Sequence, residues 1–430
     1  MSTPAQRPLW PATAASAPEL RPLDGAQQAE VAIIGGGFTG LSTALALATR
    51  GVAVTLLEAE AVGAGASGAN GGQVIPGLRH FVADLVATYG ETLGRRLHAH
   101  GAGDADATFA LIAQHGIACD ATRQGWLQVA DNPAELAACR QRCAAWAEWG
   151  APVRMLDAEE VRHLTGAVGY LGGWMDARGG SVQPLSLARG LARAALAAGA
   201  RIHAPARVTA IAPDGRDWRL ATATGSLLAR RVLLATNASG GGLWPGLAAC
   251  MMPVWSFQTA TAPLPADTPV LPGGQVVSDT RRVLRYWRCD AAGRLVVGGK
   301  GTLRAPRGPH SFGVPERMRA RLYPALPHTA PAFWWGGRIA ITPDRLPRLF
   351  GLGEGVFAVL QDNGKGVGWC TATGPVLADL LCGADARDLA LPPVTPLRPI
   401  PLHPLRSVYA AAGSLWLRTR DALDAVRPAA

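Results

Sequence analysis

Three glycines at Gly35-x-Gly37-x-x-Gly40, with a carboxylate, Glu58, roughly 20 residues further on, have the spacing that holds a pyrophosphate and an adenosine ribose. Gly35 lets the chain turn tightly. Gly37 lets backbone approach a phosphate at a helix N-terminus, and Gly40 lets helix and strand pack closely. That chemistry needs flanking elements, and they stand in register. Val31 to Ile34 is an apolar run that reads as a buried parallel strand. Leu41, Ala44, Leu45 and Ala48 recur at helical spacing until Gly51, and Ala53 to Leu57 makes a second strand. Residues Glu30 to Glu58 therefore form a complete βαβ unit for a dinucleotide.

Other chemistry-bearing residues fall later in the chain. Gly63 to Gln73 holds five glycines together with Ser67, Asn70 and Gln73, a backbone that can lie against a flat ring. Asn70 could hydrogen-bond such a ring or simply form the turn. Asn363-Gly-Lys-Gly-Val367 follows the apolar strand Val356 to Leu360 and opens a helix, so its N-terminus carries partial positive charge. Lys365 would add a full charge there; the alternative is a solvated loop lysine. Tyr286 and Arg288 alternate on one strand face, where both could meet a substrate and Arg288 could grip a carboxylate; a cross-strand pair supporting the sheet is the alternative. Trp334 and Trp335 could wall a pocket, with at least one of them expected in the core. The histidines carry no assigned role.

The elements around these residues alternate in kind. Residues 1–29 read as a Pro-, Ala- and Ser-rich arm anchored by Trp10. From Phe81 to about Gly150 the pattern is mainly helical, with a helix start at Asn132-Pro133, and Asp157-Ala-Glu-Glu160 resembles a capping box. A helix follows from Gln183-Pro184 to Gly199, then strands at Arg207 to Ile211 and Arg231 to Asn237. Between Met252 and Val297 the rhythm is of strands and hairpins: Val254 to Ala262, Val283 to Cys289 and Leu295 to Gly298. The last helix runs to about Leu381 and is capped by Gly383. A proline-rich tail follows, with helical character around Ala410–Val426. A helix-flanked parallel sheet interrupted by an antiparallel sheet is a two-domain α+β arrangement.

At 430 residues the chain has room for two or three domains. No apolar run reaches the roughly 18 residues of a membrane span, and Pro4, Pro8 and Pro11 break the first fifteen residues, so neither a span nor a signal peptide is expected. The net charge of +10 comes from arginines scattered without a basic stripe, so nucleic acid is not expected as a partner, while anionic small molecules are favoured. Seven cysteines without a CxxC pair or a histidine at zinc spacing read as reduced thiols of a cytoplasmic protein, with no metal site. Cys139 and Cys143 read as core.

The Gly63-Ala-Gly-Ala-Ser-Gly-Ala-Asn-Gly-Gly-Gln73 segment resembles that of the D-amino acid oxidase superfamily, most closely the gamma-glutamylputrescine oxidase-like FAD enzymes. Those carry arginine where this chain has Ala69. The resemblance runs from about Trp10 to Cys382 through Gly173 to Gly180, Pro184-Leu, Ala235-Thr-Asn-Ala238, Thr261 to Leu264, Asp279 to Arg282, Tyr286-Trp-Arg288, Gly293 to Gly299, Trp335 to Pro347 and Asn363 to Val367. It implies a Rossmann-type FAD-binding domain (30–80, 176–248 and 336–383) interleaved with an antiparallel-sheet substrate domain (81–175 and 249–335), between an arm (1–29) and a tail (384–430). The cofactor-binding set it implies is Gly35, Gly37, Phe38, Thr39, Gly40, Glu58, Ala66, Ser67, Asn70, Gly71, Gly72, Gln73, Val208, Asn363, Gly364, Lys365, Gly366 and Val367. Relatives that attach flavin covalently use a cysteine near the segment matching Gly336 to Thr342, which has none here, so FAD is expected to be held noncovalently. Lys365 stands where relatives often have Arg or His.

The activity implied is oxidation of a small amine or imino acid, gamma-glutamylputrescine-like or N-substituted, by hydride transfer from the carbon beside nitrogen to flavin N5, with oxygen or another acceptor closing the cycle. Lys365 and Asn70 would then act at the flavin edge, and Tyr286, Arg288 and Trp335 on the substrate. The competing readings are a flavin-binding electron-transfer subunit of a multi-chain dehydrogenase and an NAD(P)H-dependent flavin monooxygenase. The latter would need a second nucleotide site, and no second GxGxxG follows a strand.

Overall fold

The computed structural model describes residues 5–240, 242–281, 284–327, 329–413 and 416, the side chain of Lys300 excepted. Two sheets organise the described residues. The first has nine strands with a parallel centre, in which Gly25–Ile34 lies between Gly225–Leu234 and Val54–Leu57. Val356–Leu360 continues the sheet on one side and Arg201–His203 on the other. These central strands are apolar because both of their faces are covered: Val31 to Ile34 and Val54 to Leu57 are buried without alternation. One face packs on the helices Phe38–Thr49, Pro184–Ala197 and Gly374–Leu381, through Leu41, Leu45, Leu187, Leu191 and Leu377. Phe350, Leu234 and Leu247 belong to the core on the opposite face.

The second sheet has eight strands and is antiparallel apart from the parallel pair Trp126–Ala130 and Val276–Asp279. Its long members are Met252–Pro263, paired with Phe333–Ile341 and Arg294–Lys300; Arg285–Cys289 lies beyond. The structure is thus a parallel Rossmann-like sheet joined to a mostly antiparallel one.

Several elements differ from the sequence-based expectation. The helical stretch after Phe81 contains the strand Trp126–Ala130, whose five residues are too few to show a period and whose pairing lies far away in sequence, on Val276–Asp279 and Gly172–Asp176. The strand expected at Arg207 to Ile211 begins only at Ala210, which leaves Arg207 to Thr209 as loop. The final helix is two, Gly366–Ala372 and Gly374–Leu381. Pro375 has no N–H for the carbonyl one turn back, and Gly374 packs so closely that a Cβ there would sit 2.3 Å from Ser42 Oγ.

Nor is the arm merely laid on the surface. Trp10–Thr13 forms a helical turn, Trp10 is wholly buried against Trp335, and the first sheet already begins at Gly25. The Asn132 cap and the Asp157–Glu160 capping box both form. Cys139 and Cys143 are buried free thiols in a core with Trp146 and Trp174. In the tail, residues 406–413 are helical, and the remainder of the expected Ala410–Val426 helix lies outside the described residues apart from Trp416, as do Arg282, Val283 and His328. Among the described residues no helix is long and apolar enough to cross a membrane.

Candidate active site

A cavity of about 1160 Å³ runs between the two sheets, larger than the roughly 300–1,000 Å³ of an ordinary ligand pocket. Gly35, Gly37, Phe38 and Thr39 line one part of it. Gly37, the N-cap of the Phe38–Thr49 helix, has no side chain to cap it, and the helix start lines the cavity. Close packing explains the neighbouring glycines: a Cβ on Gly35 would lie 2.7 Å from the Ala235 carbonyl oxygen, and one on Gly40 would lie 2.0 Å from the Gly35 carbonyl oxygen. Glu58 accepts from the backbone N–H of Gly36 at 2.6 Å and of Glu60 at 3.0 Å, which aims its carboxylate along the same wall as Val208.

The Gly63–Gln73 segment forms the next wall. Ala66–Ala69 is one helical turn, and Ser67 Oγ accepts from the Phe38 N–H at 3.0 Å, tying the loop to the nucleotide helix. Asn70 requires a correction. Its amide nitrogen donates to the carbonyls of Ala66 and Ser67, and its oxygen accepts from Gly72 N–H at 2.7 Å. Both of its donors are used within the loop, so Asn70 shapes the wall rather than donating to a ring. The Gln73 amide donors are likewise engaged, Nε2 donating to the carbonyls of Val277 and Trp287.

The loop is braced from behind. Trp10 Nε1 donates to the Asn70 carbonyl at 2.7 Å, while Trp335 Nε1 and Gln258 Nε2 both donate to that of Ala69. Trp335, expected to wall the substrate pocket, is therefore a buried brace that does not line the cavity. Gly40 and Gly72 also lie outside the lining. At Gly72, where φ is +70°, a Cβ would meet the Val182 carbonyl oxygen at 2.2 Å.

Tyr286 does line the cavity. Its ring lies against Gly71 and Gly298, where a Cβ would approach it to 2.6 and 2.3 Å, and its hydroxyl shares a 2.8 Å hydrogen bond with Ser256; burial pushes the phenol up to about 12. Arg288 corrects the other half of that expectation. It shares the strand face with Tyr286, but the Gly71–Gly72 backbone lies across it. Its guanidinium donates to the carbonyls of Gly71, Val182 and Cys289, and packs 5.0 Å over Trp10. It is a buried strut and does not line this cavity.

Asn363, Gly364, Lys365, Gly366 and Val367 all line the cavity, with Lys365 at the N-cap of Gly366–Ala372. Lys365 Nζ points to the carbonyls of Pro76 and Gly77, at 3.4 and 3.2 Å, and lies 5.2 Å over the Trp126 ring. Burial, with Arg79 and Arg142 nearby, lowers its proton affinity, while burial raises that of Asp104, which accepts from Gly77 N–H. Lys365 is therefore a half-buried, hydrogen-bonded amine and not a solvated loop lysine. Asn363, at φ +42°, accepts from Thr342 N–H and hydroxyl, and its buried Nδ2 has no partner.

These features fit FAD. A helix start, a glycine turn, an orienting glutamate and an orphaned amide donor line one continuous cavity long enough for a dinucleotide and a substrate beside it. Many lining residues were missed from sequence, among them Arg79, Gln258 and Cys370. Arg79 follows the loop in an irregular segment, Cys370 sits one helical turn beyond Gly366, and Gln258 projects from the second sheet; no local pattern marks any of them. The Cys370 thiol, buried, is pushed up to about 12.

Known proteins agree with this geometry. Residues 30–380 match the family described as FAD dependent oxidoreductase, DAO. The chain is 31% identical over 421 residues to the gamma-glutamylputrescine oxidoreductase of Escherichia coli, covering 95% of this chain and 97% of that protein. It is 32% identical over 376 residues to the probable oxidoreductase OrdL of Rhizobium meliloti, covering 87% and 88%. Its fold is similar to that of glycine oxidase from Geobacillus kaustophilus, with a TM-score of 0.70 at 24% identity over 84% of this chain and 96% of that one. With its dinucleotide unit, its flavin-sized cavity and a family match spanning most of its length, the chain belongs to the DAO family of FAD-dependent oxidoreductases.

Proposed function

We propose that this protein oxidises a small amine or imino acid, gamma-glutamylputrescine-like or an N-substituted amino acid, at the carbon beside nitrogen. As a DAO-family enzyme it is an FAD-dependent oxidoreductase acting on CH–NH groups. Bound FAD supplies the hydride acceptor at N5, so the substrate leaves as an imine, with hydrogen peroxide formed when oxygen is the final acceptor. The protein must align the amine and stabilise the negative charge that builds in the site.

The observation that carries this reading is the continuity of the cavity: the nucleotide wall at Gly35 to Thr39 and the groups around Tyr286, Ile339 and Lys365 enclose one space. In the proposal, Gly37 and the helix start receive the pyrophosphate, Glu58 the ribose and Val208 the adenine. Lys365 provides the cation at the reacting end, and Tyr286 is one wall of the amine site. Binding of FAD is proposed to be noncovalent, because a thiol held as protonated as that of Cys370 is a poor nucleophile. The free cysteines suit a reducing compartment, and the cytoplasm is proposed.

An anaerobic screen tests the substrate class. Polyamines, gamma-glutamyl amines, N-methyl amino acids and cyclic imino acids are mixed with purified holoenzyme and flavin bleaching is followed. At least one class should bleach the flavin rapidly. A protein that stays yellow with all of them is not an amine oxidase and fits an electron-transfer subunit instead. Acid precipitation should release the yellow colour to the supernatant; colour kept in the pellet refutes noncovalent binding.

A further inference from the structure

Lys365 is tied to a carboxylate that does not itself line the cavity. Its Nζ lies 3.4 Å from the Pro76 carbonyl oxygen and 3.2 Å from that of Gly77, and the Gly77 N–H donates to Asp104 Oδ1 at 3.3 Å. The Pro76 carbonyl and the Gly77 N–H belong to one planar peptide group, so a single amide stands between amine and acid. Asp104 is 1% exposed, its Oδ2 is buried without a hydrogen bond, and it lies behind the wall that Lys365 lines. Its carboxylate packs on the helix that Lys365 caps: a Cβ on Gly368 would sit 3.1 Å from its carboxyl carbon.

The partners of Nζ are two carbonyl oxygens and the face of Trp126, all of which favour a protonated amine. The surrounding charges are divided. Arg79, from the loop after Gly77, and Arg142, from the helix Pro133–Glu148, oppose a proton on Lys365, whereas Asp104 and Asp176 support it. Asp176 is already paired with Arg178 at 2.6 Å, and Asp362 accepts from Gly364 N–H and Asn237. On the remaining sides the groups are neutral at pH 7. Burial pushes His100 down to about 4 and the Cys370 thiol up to about 12, and burial with Arg178 lowers His98. A buried carboxylate with one oxygen unpaired is costly unless a cation answers it, and of the two cations acting on Asp104 the stronger is Lys365.

We propose that Asp104 is the positioning residue of Lys365, holding Nζ and its proton in the cavity wall through the Pro76–Gly77 amide. The charge that Lys365 presents to the flavin is then set by a group that neither substrate nor oxygen touches. The inference rests on the reading that places Lys365 at the reacting end, and it names what keeps the ammonium there.

Lys300 and Lys365 are the two lysines of the chain, so holoenzyme isotopically labelled at lysine Cε gives two side-chain NMR signals, assigned with Lys300→Arg. Their pH titration reads the midpoint of Lys365 directly. Asp104→Asn should lower that midpoint by about one pH unit or more, a tenfold loss of proton affinity, because a nearby opposite charge favours the charged form of an amine. Asp104→Ser should do the same and serves if the Asn variant fails to fold. The flavin supplies a second reading: its midpoint potential, measured by photoreduction against a reference dye, should change slope at a pH that moves down with Lys365. A wild-type Lys365 midpoint in a variant that retains FAD overturns the proposal. So does a lowered Lys365 midpoint with the pH dependence of the flavin potential unchanged. If both readings move and no amine reduces the flavin, the positioning of Lys365 stands and amine oxidation falls. If neither moves while amines are oxidised, the positioning falls and amine oxidation stands.

Discussion

Gly37 and Gly40 belong to the same glycine motif, yet the structure predicts opposite consequences for Gly37→Ala and Gly40→Ala. Gly37 has φ −90° and ψ −177°, ordinary for any residue, and an added Cβ meets only Ser67 Oγ, at 2.9 Å. Moving that hydroxyl aside sacrifices its 3.0 Å bond from Phe38 N–H, which costs the protein without FAD about 0.5–1.5 kcal/mol. At Gly40 the same methyl would stand 2.0 Å from the Gly35 carbonyl oxygen and 3.2 Å from Ile33 Cγ2. Backbone cannot rotate away, so the overpacking cost is about 1–3 kcal/mol or more whether or not a ligand is present.

For cofactor binding the order reverses. The Gly37 methyl projects at the helix start where the pyrophosphate must approach closely, and a clash of about 1.4 kcal/mol or more means at least a tenfold weaker Kd for FAD. Denaturant unfolding of the apoprotein and FAD titration by flavin fluorescence separate the two effects. Gly37→Ala should unfold near the wild-type midpoint and bind FAD poorly, whereas Gly40→Ala should lose stability first. Wild-type FAD affinity in Gly37→Ala would refute the placement of the pyrophosphate.

Further expectations follow from the same contacts. Arg288→Met leaves the carbonyls of Gly71, Val182 and Cys289 without their donor, at about 1–3 kcal/mol for each group left buried and unpaired; it should lower the thermal midpoint and affect charged and neutral amines equally, and a KM defect confined to carboxylate-bearing amines would contradict this. Lys365→Met should slow flavin reduction or its reoxidation by oxygen in stopped-flow mixing while FAD content is kept, because the pyrophosphate is held elsewhere; unchanged rates in both half-reactions would remove Lys365 from the chemistry. Asp362 is raised from 3.8 to about 6 by burial, so the folded protein holds its proton more tightly than the unfolded chain, and the stability this contributes is present below pH 3.8 and lost as pH rises through about 6. Asp362→Asn escapes that loss: its thermal midpoint relative to wild type should climb between pH 4 and 6 and level off above, and a difference independent of pH would show that Asp362 titrates normally.

The nucleotide unit was legible in the chain because its parts are local. Strand, glycine turn, helix and second strand fit within Glu30 to Glu58, and spacing along the sequence is spacing in space when the elements are consecutive. The capping box at Asp157–Glu160 and the helix start at Asn132 were legible for the same reason. The substrate side was not. Tyr286 and Arg288 share a strand face, as their two-residue spacing dictates, but whether that face opens on a cavity depends on what crosses it, and the Gly71–Gly72 backbone arrives from more than two hundred residues away to bury one and leave the other exposed to the site. Trp335 became a brace because Trp10 and the Ala69 carbonyl converge on it. Arg79 and Cys370 carry no motif; only tertiary packing sets them in the cavity, and only there does a thiol held protonated acquire chemical meaning. Sequence periodicity reports which way a side chain points from its own element, while its solvent, charge and partners are set by elements distant in the chain.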